Sequence, residues 1–316
     1  MFFLLCLLTT LLGKSHAKNS LVSEFESLEA LYSPERHNGL LRADPQQRRL
    51  RFSSFLQAKK EIDAINKDPT VKYTAALNKF SILTDAERQM YLGYNISQVE
   101  PTVEKDPFDV GRKSILRTFP KTLPTEGYPD SLDWSPHLPP VKDQGQCGSC
   151  WAFGFLAALE GAYYMATGET HSMAEQEILD CTPNGCDKGG VYPVPARYIM
   201  EQQRIGFSEE IPYTAVHNEI CRFKDRKKNV LTKAKLTNAG GFYGSDLSLL
   251  RLVNYAVVAA TMSMHSSVIH YRGGLYEEPY PMYPPRHAVV VVGYGKMEHG
   301  RYWKVGGRYC YMIEFY

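Results

Sequence analysis

The chain has 316 residues, with 36 basic against 34 acidic side chains, and 44% of it is hydrophobic. That apolar fraction is enough to bury a core and excludes a mainly disordered chain, while the length suits one large domain plus a smaller one at roughly 100–200 residues each. A formal net charge of +2 excludes a dedicated nucleic-acid binder, and the one basic cluster, Arg222 to Lys228, reads as a solvated surface turn.

The first element is the apolar run Phe2 to Leu12, followed by small residues Ser15 and Ala17 around His16. It is too short to span a bilayer, which takes roughly 20 apolar residues, and it reads as a signal peptide over residues 1–17. The expectation is a protein with no membrane attachment after signal removal, in a secreted or lysosomal compartment where disulfides are permitted. Asn95-Ile96-Ser97 is the only glycosylation sequon, which makes Asn95 the candidate acceptor.

From Ser20 to about Gly93 the chain is rich in Leu, Glu, Lys, Arg and Gln, a helical composition. Gln47, Arg51, Phe55, Ala58, Ile62 and Asn66 are spaced 4, 4, 3, 4 and 4 apart and share one helix face, which Asp68-Pro69 terminates. Val71 to Thr74 follows as a short extended piece, and Thr84 with Glu87 three residues later marks the start of another helix. Pro101, Pro107, Pro120, Pro124 and Pro129 then punctuate a charged stretch that reads as an exposed linker and an accessible cleavage site. Beyond it, Cys150 to about Thr167 carries a mostly apolar helical pattern that stops at Gly168. Tyr255 to Ala260 and His287 to Val292 are β-type runs.

The residues that bear chemistry lie between Gln144 and Phe153 and at His287. A cysteine nucleophile must be a thiolate, yet a free thiol titrates near about 8.5. Cys150 begins an apolar helix, whose N-terminus favours a negative sulfur by roughly 0.3–1 kcal/mol. An imidazolium partner supplies the remainder. His287 opens a buried strand with a glycine-rich exit, at the rim of the core where a cleft would lie. It follows Cys150 by 137 residues. A spacing of about 130–150 residues, together with Cys-Gly-Ser-Cys-Trp, characterises papain and the cathepsins. Cys147 and Cys150 as a redox pair or half a zinc site are the disfavoured alternatives, because no second short-spaced pair with histidines accompanies them.

Gln144 to Phe153, Glu175-Gln176-Glu177 with Asp180-Cys181, Gly189-Gly190, and His287 to Gly295 together resemble the papain-family, cathepsin L-like cysteine proteases. The upstream helix face is similar to the Glu-Arg-Phe-Asn-Ile-Asn pattern of the family's inhibitory prodomain, with Gln47 and Ala58 replacing Glu and Asn. Ala76, Asn78, Phe80 and Ile82 half-match its Gly-Asn-Phe-Asp motif. The resemblance implies an α+β, two-lobed papain-like fold, with a helical left lobe and a β-barrel-like right lobe behind a mainly helical prodomain. The implied organisation is a prodomain at 18–100, a linker with a processing site at 101–129, and a C-terminally abbreviated peptidase domain at 130–316.

By the same resemblance Cys150 is the nucleophile, His287 the general base and then acid, and Gln144 an oxyanion donor. Gly189, Gly190 and Trp151 are substrate-binding, and Cys147–Cys186 and Cys181–Cys221 are disulfides that leave Cys150 free. The implied protein is a monomeric zymogen whose partners are protein or peptide substrates and its own prodomain, with no cofactor, no metal and no nucleic acid. One part of the pattern is missing. The family orients its histidine with Asn in an Asn-Ser-Trp-Gly motif, whereas here Tyr302-Trp303-Lys304-Val305 leads into Gly306-Gly307-Arg308-Tyr309, and the last asparagine is Asn254. The last strands of the right lobe are therefore expected to be incomplete, and a non-catalytic family product that binds protein through its prodomain or cleft is the alternative function.

Overall fold

A computed structural model describes residues 20–32, 44–98, 127–221, 229–237, 239, 246–277, 287–297, 300–306 and 312–315. The expected signal peptide, most of the linker, the basic cluster, Arg286, Gly307 and Cys310 lie outside these residues.

Residues 20–32 form helix α1, and Pro45–Lys67 form α2. Asp44 caps α2 by accepting from the Gln46 and Gln47 amides, and Pro45 takes the first turn, where no intrahelical N–H partner is needed. Arg51, Phe55, Ala58 and Ile62 are the buried residues of α2. Phe55 joins Phe25 of α1 and Ile82 in a small aromatic core, with Phe52 packed against it. This cluster is what a short helical domain must bury to hold together. Strand β1 (Tyr73–Ala75) follows, one to two residues later than the sequence pattern suggests. Helix α3 (Asp85–Gln89) begins with a complete capping box between Thr84 and Glu87.

The left lobe is helical. α4 (Cys150–Thr167) runs through its centre and ends at Gly168, with α5 (Glu175–Cys181) and α6 (Pro193–Gln202) beside it. Trp151, Leu156, Met173, Ile178, Ile199 and Ile205 are buried together. The disulfides Cys147–Cys186 and Cys181–Cys221 tie its loops to this core.

The right lobe holds α7 (Asp246–Val253), β3 (Val258–Met262), α8 (Ser266–Ile269), β4 (Tyr271–Tyr276), β5 (His287–Met297), β6 (Gly300–Gly306) and β7 (Met312–Phe315). With β2 (Leu132–Asp133), the sheet order is β1-β4-β7-β6-β5-β2, and β3 pairs with β5. Strand β3 starts at Val258 rather than Tyr255, because the Asn254, Tyr255 and Ala256 amides bond back to Leu250 and Leu252 and finish α7 first. At the other end, β7 lies between β4 and β6, parallel to the first and antiparallel to the second. Val290, Val292 and Val257 meet Ala157 of α4, so strand β5 and helix α4 pack across the two lobes. The prodomain docks by adding β1 to β4, with Tyr73 opposite Gly274 and Thr74 opposite Gly273.

Candidate active site

Helix α4 begins at Cys150 and strand β5 at His287, and the packing of α4 on β5 brings these two termini to one place. The amides of Ala288, Trp151, Gly93 and Tyr94 surround the Cys150 sulfur and favour its negative form. Cys150 is the one free cysteine among the described residues. Both groups are almost wholly buried, with Cys150 1% and His287 2% exposed. Burial pushes the thiol up to about 11, although the four amides oppose it. Burial also pushes the imidazole down to about 4. Both shifts favour the uncharged thiol and imidazole across the range between those values.

Gln144 is buried and donates its side-chain amide twice, to the Cys147 carbonyl at 2.8 Å and to the Tyr91 carbonyl at 3.0 Å. The first bond fixes the amide's direction. The second ties the Tyr91 carbonyl of the prodomain to the same side chain. The chain continues from Tyr91 along the cleft. The Gly190 amide donates to the Gly93 carbonyl at 2.8 Å, and the Asn95 amide donates to the Gly190 carbonyl at 3.1 Å, giving a parallel bridge. Glycine is required on both sides of this crossing. A Cβ on Gly93 would stand 1.7 Å from the Gly148 carbonyl oxygen, and one on Gly190 would stand 2.6 Å from the Trp151 ring.

Trp151 itself is fully buried beneath Gly190. It lies directly under Gly190, next in sequence to Cys150. Gly189 takes a left-handed φ of 59°, and a Cβ there would stand 2.1 Å from the Gly93 carbonyl oxygen. Asn95 folds over Ser97, accepting from its hydroxyl at 2.6 Å, and its amide faces the Lys188 carbonyl at 3.4 Å. Cys147 is bonded to Cys186, so it forms neither a redox pair nor a metal pair with Cys150. Asn254, the last asparagine, bonds Leu250 and Tyr294 and is committed away from His287.

The prodomain is also held outside the cleft. Lys79 pairs with Asp143 at 2.7 Å and Lys72 with Glu277 at 2.8 Å. The Asn78 amide donates to the Ile269 carbonyl, and the Ser81 hydroxyl meets the buried His270 ring at 3.1 Å. Sequence reasoning missed Tyr91, Gly93 and Tyr94 as cleft residues. A glycine between two tyrosine-bearing turns was the available signal, but only docking shows that its missing side chain serves a crossing.

Residues 128–307 match the model of the papain family cysteine proteases, and residues 36–87 match that of the cathepsin propeptide inhibitor domain (I29). The chain belongs to the papain family of cysteine proteases. Digestive cysteine proteinase 2 of Homarus americanus is 33% identical over 264 residues, covering 79% of this chain and 76% of that one. Probable cysteine protease RDL3 of Arabidopsis thaliana is 30% identical over 266 residues, which are 81% of this chain and 66% of that relative. In fold, digestive procathepsin L 3 of Tenebrio molitor larval midgut superposes with a TM-score of 0.70 at 24% identity, covering 92% of this chain and 89% of that one. The papain-like architecture with a prodomain is common to both structures, and this chain is a papain-family cysteine peptidase carrying a propeptide.

Proposed function

We propose that this chain is the proform of a secreted or lysosomal cysteine endopeptidase. Cys150 is its nucleophile, His287 its base and acid, and Gln144 with the Cys150 amide its oxyanion donors. The observation that carries this reading is the Tyr91 carbonyl bound to Gln144 while the same segment's amides cover the Cys150 sulfur. A chain already lies where a substrate would lie.

Once the propeptide leaves, water reaches both groups and the charged pair is no longer suppressed by burial. The thiolate then attacks a peptide carbonyl carbon, and the oxyanion forms against Gln144. The C–N bond breaks as imidazolium gives its proton to the departing amine, leaving a thioester. Water, deprotonated by the imidazole, hydrolyses the thioester and restores the thiol. We assign residues 18–100 to the prodomain, 101–129 to the processed linker and 130–316 to the peptidase, working as a monomer on protein or peptide substrates. Residues 1–17 are the signal peptide, and Asn95 is the glycan acceptor.

A second reading rests on Gly306-Gly307-Arg308-Tyr309 following Tyr302 to Val305 where the family carries its Asn-Ser-Trp-Gly motif. On that reading the chain binds protein without cleaving it. Acid-processed protein treated with a peptidyl epoxide separates the two. The endopeptidase reading expects a covalent adduct on Cys150 and hydrolysis of a fluorogenic peptide, whereas a folded, processed chain that does neither supports the binding protein.

A further inference from the structure

Tyr192 follows Gly190 by two residues and stands at the N-cap of α6, on the left lobe. Its side chain makes no capping bond to that helix. It reaches across to the right lobe instead, where its hydroxyl donates to the Ala260 carbonyl of β3 at 2.5 Å. The same hydroxyl lies 3.2 Å from the Val289 carbonyl of β5. Ala260 and Val289 are register partners, so one phenol bridges from the left lobe to a single rung of the β3–β5 pair. Burial raises the phenol well above its ordinary value, so it keeps the proton that it donates.

The residues about the far end of this ring are small. A Cβ on Gly154, one turn beyond Cys150 in α4, would stand 2.9 Å from the Tyr192 hydroxyl oxygen and 3.4 Å from the Ala288 Cβ. Glycine inside a helix is unfavourable, and here it makes the room that the phenol takes. On its other side the Tyr192 ring carries Tyr94 of the propeptide, with centroids 5.1 Å apart. Tyr94 is the residue flanked by the two main-chain bonds to Gly190. A chain held on Gly190 in this way lays its side chain on the Tyr192 ring, and the space behind the ring is already filled. We infer that Tyr192 sets the peptide specificity of the reaction proposed above, an inference that rests on the endopeptidase reading. By filling the space between the lobes it turns a pocket into a flat platform, which favours an aromatic side chain opposite Gly190. A tilted ring contact rewards an aromatic residue, whereas a leucine there finds no cavity to enter and gains little over alanine.

The test uses the full chain, expressed as the proform and processed at acid pH, in wild type, Tyr192→Ala, Tyr192→Leu and Tyr192→Phe. Each is assayed on fluorogenic peptides that carry Tyr, Leu or Ala at one position at a time. At one position wild type should give a kcat/KM for Tyr several-fold above Leu, with Leu within about threefold of Ala. Tyr192→Ala should raise the Leu-to-Ala ratio there by roughly tenfold or more, the gain from burying a leucine side chain. Tyr192→Phe still fills the space and should keep the wild-type ratios. General damage to the fold would lower all three peptides together and leave the ratios alone. Free p-cresol, which is the tyrosine side chain, should bring the Tyr192→Ala ratio back toward wild type. It should also raise the melting temperature of that variant and leave wild type unmoved. A Leu-to-Ala ratio that Tyr192→Ala leaves unchanged at every position overturns the inference, as does a wild type that takes Leu as well as Tyr throughout. If Tyr192→Ala fails to fold, Tyr192→Leu decides: a smaller rise in the ratio supports the inference, and none overturns it. Processed wild type that hydrolyses no peptide defeats the endopeptidase reading. The p-cresol melting shift then still reports whether Tyr192 fills the pocket, and its absence overturns that filling.

Discussion

Gly93 is the residue on which the covered cleft depends most, because its Cα crosses the Gly148 carbonyl at a distance no side chain tolerates. Overpacking costs about 1–3 kcal/mol, so Gly93→Ala should loosen the propeptide and raise the rate at which a thiol probe labels the proform at neutral pH by roughly ten- to a hundredfold. Mass-spectrometric labelling rates check this, and an unchanged rate would show that the crossing does not govern access. Burial holds the His287 imidazole down to about 4 and the Cys150 thiol up to about 11, so forming the charged pair on uncovering moves the thiol proton to the ring without net proton uptake.

At the scale of elements, α2 and α3 are joined by the buried pair of Arg51 and Glu87, with the guanidinium 2.6 Å from the carboxylate. Burial raises the Glu87 carboxyl, but bonds from Arg51, the Thr84 amide and Gln47 outweigh it and hold the group below its ordinary 4.5. Its stabilising effect is thus complete above 4.5 and lost as pH falls through the lowered value. Glu87→Gln removes the carboxylate that Arg51 binds, and breaking a buried pair costs about 3–5 kcal/mol. The prodomain of that variant should melt at lower temperature in calorimetry at pH 7, with the difference from wild type shrinking toward pH 4.

The same elements show what local sequence encodes. The α2 face, the Thr84–Glu87 capping box and the Cys150 helix with its glycine stop were legible, because periodicity, caps and breakers act within a few residues. The start of β3 was not, since the Leu250 and Leu252 carbonyls recruit amides that an apolar run alone assigns to a strand. Nor were the Tyr91 carbonyl on Gln144 and the Ser149–Tyr213 bond, which join residues 53 and 64 positions apart.

Across the whole molecule the prodomain is held by β1 on β4, by the cleft crossing and by the ion pairs of Lys72 and Lys79. His270 sits within this interface, 1% exposed. Burial lowers its imidazole, Glu61 opposes that shift from 3.5 Å, Arg88 adds to it, and the Ser81 hydroxyl meets the ring. His270 makes release of the prodomain a proton-binding step, so release should rise as pH falls below about 6.5. Probe labelling of the proform against pH reads it: His270→Gln should move the midpoint to lower pH, and a profile flat from pH 7 to 4 contradicts the linkage. On the endopeptidase reading Cys150 is held neutral beneath the propeptide and becomes a thiolate beside His287 once uncovered. The rate of Cys150 alkylation by iodoacetamide against pH, for processed wild type and His287→Ala, reads this at the sulfur itself. Wild type should show a reactive plateau that begins well below about 8.5, the value of a free thiol, and is lost in the variant. A processed wild-type profile that rises only with a free thiol, and matches His287→Ala throughout, would contradict it.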